Sequence, residues 1–292
     1  MCPEGPIEWG SSRIRVYWVS ESWDDAELLL GLEEEPDLAD TRVVITQHKS
    51  LRPHGWREFY RLCRSRGIRV VADVCDPMWF FMPQGLALMQ EVDMIVASND
   101  GLAKQARQDL GLPTMCIPDR HKIEAYTVKE HKETDCPILL WHGTAWNRAA
   151  LWNCVIELNQ LWAAGYNFKV VLVDQMPNAG TFLGALSPYS QVERIEWKLD
   201  TFYSEVLPSA DIGLVPGFPG KWGTLKSNNK EVCFWVAGVP TVKGDNLPHL
   251  ARLIEDWGLR AELGAEMREV AVRDWGIERS VADWSDLVRL LG

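Results

Sequence analysis

Apolar residues in this chain follow two patterns: short unbroken blocks, and longer stretches where they recur every third or fourth position. The blocks suit strands buried on both faces of a parallel sheet, and the periodic stretches suit amphipathic helices lying on that sheet. In the first half the blocks predict strands at 14–19, 43–45, 70–72, 94–97 and 115–117. Between them, Trp56, Phe59, Tyr60 and Cys63 keep one helical face apolar while Arg57, Arg61 and Arg64 share the other, which predicts a helix over 56–66. Asn99-Asp100 opens a helix that carries Ala103, Ala106 and Leu110 and stops at Gly111.

Between Pro118 and Asp135 the chain turns polar and charged, with His121, Lys122, Lys129, His131 and Lys132, and the strand pattern restarts at Ile138. Strands are expected at 138–141, 168–173, 192–197, 212–215 and 239–242, with helices over 146–164 and 201–207 and a helical C-terminus over 250–257, 261–272 and 281–291. Such alternation predicts an α/β fold of two Rossmann-like domains: residues 1–120, a linker over 121–137, and a second domain over 138–292 that ends in helices.

At 292 residues, 47% hydrophobic and 24% charged, the chain has room for two packed cores and the composition of a globular protein. No apolar run reaches the length of a membrane span, and the start, Met-Cys-Pro-Glu-Gly-Pro-Ile-Glu, lacks the layout of a secretory signal. A cytoplasmic location is the default expectation. Seven scattered cysteines without a C-x-x-C pair argue against a disulfide framework or a zinc site. The net charge of −11 opposes broad binding to a polyanion, with one local exception: Arg52, Arg57, Arg61, Arg64, Arg66 and Arg69 stand against Glu58 alone.

Candidate chemistry concentrates after the strand at 212–215. There a Gly/Pro loop, Gly217-Phe-Pro-Gly-Lys-Trp-Gly-Thr-Leu-Lys-Ser-Asn-Asn-Lys230, brings Lys221, Lys226 and Lys230 to the start of a short helix that breaks at Gly238. Ammonium groups, a flexible backbone and free helix N–H donors at a strand end suit an anion such as a diphosphate; a solvated loop is the plain alternative.

Four stretches in this order resemble the group 1 glycosyltransferases of the two-Rossmann-domain (GT-B) type. Gly67-Ile-Arg-Val-Val-Ala-Asp-Val-Cys-Asp76 with Trp79-Phe80 is similar to the family's first-domain "vvyDlcD" strand and aromatic pair. Val92-Asp-Met-Ile-Val-Ala-Ser-Asn-Asp-Gly-Leu-Ala103 and Cys116-Ile-Pro-Asp119 are similar to its "aD.vi.sS..La" and "viPn" elements. Ile138-Leu-Leu-Trp-His-Gly-Thr144 sits where the donor domain has its first strand and Gly turn. Ala210-Asp211, Lys226-Ser-Asn-Asn-Lys230 and Ala237-Gly-Val-Pro240 follow the family's "aDi.l.P…K..NK..e.maaGvPvv". Three departures stand out: Leu225 and Cys233 occupy the positions of the family's paired glutamates, Ser20-Glu-Ser-Trp23 replaces its first Gly-rich loop, and the chain is short for this architecture.

The resemblance implies two domains facing a central cleft and a hexosyl-type transferase that moves a sugar from a UDP- or GDP-linked donor to an acceptor hydroxyl with retention. It implies no resident cofactor, because the nucleotide sugar is a co-substrate. The absence of an Asp-x-Asp motif agrees with a metal-free site, in which cationic side chains and helix N-termini must stabilise the leaving diphosphate. The donor contacts would be Gly143, Thr144, Arg148, Lys226, Asn229 and Lys230, with the base and ribose near Lys198-Leu-Asp200. For Arg148 and Lys221 a solvated surface charge is the plain alternative. Asp73 and Asp76 are the candidates to orient or deprotonate the acceptor hydroxyl, Asp76 being preferred because it lies further out along the loop; both could instead cap or turn the chain.

The face bearing Arg57, Arg61 and Arg64 could be a solvated helix side. It could also meet an anionic acceptor: a lipid-linked sugar at a membrane surface, or DNA with hydroxymethylated bases, besides a plain glycan. His48 and His54 flank this segment as candidate acceptor contacts. Two other functions remain open on the same fold: a nucleotide-sugar-binding protein without catalysis, motivated by Leu225 and Cys233, and a sugar-nucleotide epimerase.

Overall fold

A computed structural model describes residues 1–32, 36–47, 55–80, 83–175, 191–218, 220–243 and 246–292. The chain divides into two compact units, one of Met1–Lys122, Thr224–Ser227 and Gly276–Gly292, the other of Ile123–Gly223 and Asn228–Trp275. This division differs from boundaries at 120 and 138, because a four-residue strap and the last helix belong with the N-terminal part. His48, His54 and Arg52 lie outside the described residues.

The first unit holds a parallel sheet of β1 (Val43–Gln47), β2 (Arg69–Val74), β3 (Met94–Ala97) and β4 (Thr114–Cys116), in that spatial order. Val44 pairs with Val70, Val71 with Met94, and Ile95 with Thr114, so the predicted apolar blocks lie side by side. Helix α2 (Trp56–Ser65) buries Trp56, Phe59, Tyr60 and Cys63 as its periodicity requires, and the Tyr60 and Thr46 hydroxyls share a 2.5 Å hydrogen bond. Helix α3 (Pro83–Met89) precedes β3, and α4 (Asp100–Leu110) follows it. Asn99 caps α4 by accepting the Leu102 N–H, and Gly111 ends it at φ 68°, a left-handed conformation that favours glycine.

The strand expected over 14–19 is a helix instead. Turns Gly10–Ser12, Arg13–Tyr17 (π-helical) and Trp18–Glu21 run together as α1. The alternation of Ile14, Val16 and Trp18 imitates a half-buried strand, but Ser12, Arg13, Arg15 and Val19 are buried as well, so the segment is enclosed on several faces. The edge of β1 is met by Cys2, which bridges Thr46 in parallel.

In the second unit the sheet order is β7-β6-β5-β8-β9, all parallel: β5 (Ile138–His142), β6 (Lys169–Asp174), β7 (Gln191–Glu196), β8 (Ile212–Leu214) and β9 (Thr241–Val242). Its helices are α5 (Trp152–Ala163), α6 (Leu199–Thr201 through Phe202–Val206 to Leu207–Ser209), α7 (Lys221–Thr224), α8 (Asn229–Val236), α9 (Leu247–Glu255) and α10 (Trp257–Asp274). The expected helix over 146–164 begins as a tighter 3-10 turn, Ala145–Leu151, and the strand expected over 239–242 is paired only at Thr241–Val242. Helix α11 (Ile277–Leu291) buries Ile277, Ser280, Trp284 and Leu287 in the first unit. The chain reaches it through a bridge between His121 and Gly276, and Arg120 pairs with Asp283 at 2.6 Å. Among the described residues no helix is long and apolar enough to cross a membrane.

Candidate functional site

The strand order of the second sheet reverses between β5 and β8, and parallel α/β sheets bind ligands beyond the strand ends at such a switch. Gly143 leaves β5 at this point, its N–H held by the Val173 carbonyl at 3.0 Å. A Cβ built on Gly143 would stand 2.8 Å from the Lys230 Nζ and 2.7 Å from the Trp141 ring, so only glycine lets the ammonium lie this close to the turn. Lys230, in the first turn of α8, sits 5.0 Å from the centroid of the buried Trp141 ring, a cation–π contact that holds the charge at the strand end. Thr144 is exposed just before the 3-10 turn, and Asn229, at the start of α8, is half-buried.

Arg148 rises from that turn onto Asp174, the last residue of β6, with Nε at 2.8 Å and Nη2 at 2.7 Å from Oδ2. Arg194 of β7 approaches the other carboxylate oxygen through Nε at 3.0 Å and Nη2 at 2.8 Å. Asp174 is 1% exposed, while the guanidinium chains are 16% and 25% exposed. One buried anion therefore orients two partly exposed cations at the edge of the sheet. His142, the last residue of β5, packs between Phe202 and Phe234 at 5.0 and 5.2 Å. Lys198 and Asp200 stand exposed at the start of α6, and Lys221 is exposed in α7.

The first unit has the converse arrangement. Asp73, at 0% exposure, receives Arg15 Nε on both oxygens at 2.9 and 2.8 Å and Nη2 at 2.5 Å. The same guanidinium donates from Nη1 to Asp119 at 2.7 Å and to the Ile117 carbonyl at 2.9 Å. This corrects the candidacy of Asp73 for the acceptor hydroxyl: its carboxylate is enclosed and committed to Arg15. Asp76, two residues past the end of β2, is 28% exposed and pairs with the Lys226 Nζ at 2.5 Å.

Lys226 is thus placed otherwise than the sequence suggested. It belongs to the first unit with Asp76, whereas Lys230, four residues on, belongs to the second. The cause is Leu225, which is 4% exposed in the core of the first unit and whose carbonyl accepts from the Asn99 amide at 2.9 Å. On the other side of Lys226, the Ser227 hydroxyl donates to Asp119 at 2.6 Å. Cys233, at the second departure from the family pattern, is 2% exposed and takes the Tyr126 hydroxyl at 3.7 Å.

On the exposed side of α2, Arg57, Arg61 and Arg64 converge on Glu91 at 3.0, 3.5 and 3.4 Å. The Arg57 hydrogen bond, aided by the other two charges, holds the Glu91 carboxyl below its usual range. Sequence reasoning missed Asp174, Arg194, Arg15, Asp119 and Ser227. For Asp174 the signal existed: an acid directly after the apolar run Val170 to Val173. Among the described residues no group of three His, Cys, Asp or Glu is arranged to hold a metal ion.

No family model matches the chain, and no curated protein matches it in sequence. Solved structures match it in fold. A point mutant of S. aureus TarM, in complex with fondaparinux, alpha-GlcNAc-glycerol and UDP, aligns with a TM-score of 0.62 and 10% identity over 84% of this chain and 55% of its own. A glycosyltransferase from Rickettsia africae gives 0.60 and 11% over 86% of this chain and 76% of its own. The GtfA/B complex gives 0.55 and 10% over 85% and 57%. The chain spans between about half and three quarters of the length of these structures. At such identities the likeness defines the fold: two parallel-sheet units of the GT-B glycosyltransferase architecture.

Proposed function

We propose that the chain is a metal-independent glycosyltransferase that takes a hexosyl group from a UDP- or GDP-sugar. The observation that carries this reading is the Lys230 ammonium lying over the Gly143 turn at the switch point of the second sheet. Lys230, Arg148 and the amides of Thr144 and Asn229 beside the Gly143 turn bind the donor diphosphate, with Asp174 and Arg194 fixing the Arg148 guanidinium. In the reaction the bond from the anomeric carbon to the diphosphate oxygen breaks, and negative charge grows on that oxygen. Preorganised cations stabilise it more in the transition state than in the bound donor. The acceptor oxygen bonds to the anomeric carbon and gives its proton to the Asp76 carboxylate, with retention as in the family resembled in sequence. Asp76 is the carboxylate assigned to the acceptor hydroxyl, and Lys226 orients it. The UDP in the TarM structure favours a uridine donor.

The acceptor is a glycan, a lipid-linked sugar or a hydroxymethylated DNA base. The cluster of Arg57, Arg61 and Arg64, with three cations on one carboxylate, favours an anionic one. Salt-sensitive retention on duplex DNA selects the nucleic acid; retention on anionic vesicles alone selects the lipid. Donor turnover, followed as nucleoside diphosphate release from UDP- and GDP-sugars, tests the activity itself. Loss of about tenfold or more in Lys230→Ala is expected, since a charged hydrogen bond is worth about 1.5–3 kcal/mol.

One observation favours a second reading. Leu225 and Cys233 are both buried, so neither position offers the acidic contact of the family resembled in sequence. A nucleotide-sugar-binding protein without catalysis fits that loss, and turnover above background rejects it.

A further inference from the structure

Apart from the strand-end site, the second unit holds a cavity of about 790 Å³ whose walls include Val128, His131, Gly238, Gly264, Ala265 and Arg268. Its floor forms because α10 packs directly on the turn after α8. A Cβ on Gly264 would stand 2.2 Å from the Gly238 carbonyl oxygen, and Gly238 itself is at φ 74°. Two arginines, about one helical turn to either side of Gly264, form no ion pair with a carboxylate among the described residues. Arg268 lines the cavity and gives one hydrogen bond, to the Val236 carbonyl. Arg260, 1% exposed, donates from Nη1 to the Leu253 and Ile254 carbonyls and leaves Nε and Nη2 buried without partners. Burial lowers the proton affinity of both. Charges withdrawn from water are normally paired; Arg260 has the fields of Asp211 and Asp256, whereas the half-buried Arg268 lines the cavity with no ion pair among the described residues.

The other charges of the wall are committed. Lys129 pairs with Asp211 at 3.0 Å and Arg273 with Asp274 at 2.7 Å, and Glu269, also in the lining, acts on Arg273. His131 faces the Gly238 carbonyl through Nε2 at 2.9 Å, and its Nδ1 is buried without a partner. Val128 and Val272, 44% and 48% exposed, supply apolar surface at the mouth.

We propose that this cavity binds a small amphiphilic anion, with a carboxylate or phosphate ester on Arg268 and an apolar body along Val128, Val272 and Ala265. The site is separate from the donor site and does not depend on the glycosyltransferase reading. Isothermal titration of the full chain with octanoate and with hexyl phosphate tests it, with octanol and inorganic phosphate as partial ligands. The expected result is saturable binding of at least one amphiphile, about tenfold or more weaker for either partial ligand, and lost in both Arg268→Gln and the cavity-filling Ala265→Trp. The amphiphile that binds tells carboxylate from phosphate. Both variants keep the wild-type circular dichroism spectrum and urea-unfolding midpoint, which shows that they fold. No saturable binding, partial ligands binding as well as the amphiphiles, or unchanged binding in either variant overturns the proposal.

Discussion

The strand ends of the two sheets carry mirror-image charge clusters. In the first unit one buried cation, Arg15, serves two buried anions, Asp73 and Asp119. In the second, one buried anion, Asp174, serves two cations, Arg148 and Arg194, that remain partly exposed. The first cluster is closed on itself and its hydrogen bonds are spent inside. The second keeps positive charge at the surface, beside a lysine and a glycine turn. The difference separates an ionic scaffold from a candidate ligand site: both need a buried hub, but only the half-open one has cations that reach the surface.

The comparison is tested most severely at its hubs. Removing Arg15, as in Arg15→Met, strands two enclosed carboxylates. A loss of about 3–5 kcal/mol of stability is expected in urea unfolding, the range for breaking a buried pair from one side. Asp174→Asn leaves two guanidinium groups that can still reach water, so a smaller loss of about 1–3 kcal/mol is expected from the same assay. Equal losses would erase the distinction between the clusters. Gly143→Ala drives a methyl against the Trp141 ring and the Lys230 ammonium, and overpacking of this kind costs about 1–3 kcal/mol. Nucleotide affinity falls with it, whereas Gly111→Ala, where a Cβ meets nothing within 4 Å, strains only its φ of 68° and leaves affinity intact.

The smallest effect is on pH dependence. Burial holds His131 below its ordinary 6.5, so the unfolded chain binds the proton more readily than the folded one. The contribution of this residue is present above pH 6.5 and is lost as pH falls through the folded value, and His131→Gln should flatten that part of the stability profile.

Much of this fold was legible because its strands are unbroken apolar blocks: Met94–Ala97 and Ile212–Leu214 lie where the pattern put them. The helix α1 was not, since alternating Ile14, Val16 and Trp18 look the same in a strand as in a helix enclosed on several faces, and the partner of Arg15 lies 58 residues away. Asp73 failed as a catalytic candidate for the same reason: burial by a distant arginine leaves no local mark. Gly143, a glycine at a strand end, and Lys230, a lysine at a helix start, stood out in the sequence by residue type, and the fold brings the two together. The position of Lys226 was decided by Leu225, one apolar residue anchoring a strap in the other unit's core.

The central claim is that the Gly143–Lys230 turn of the second unit grips a nucleoside diphosphate. Calorimetric titration of UDP and GDP into the wild-type chain and Lys230→Ala addresses it without any assumption about acceptor. The account predicts saturable binding of one nucleotide to the wild type and affinity weaker by about tenfold or more in the variant, as a charged hydrogen bond requires. Absence of binding to the wild type, or equal affinity in the two proteins, would contradict it.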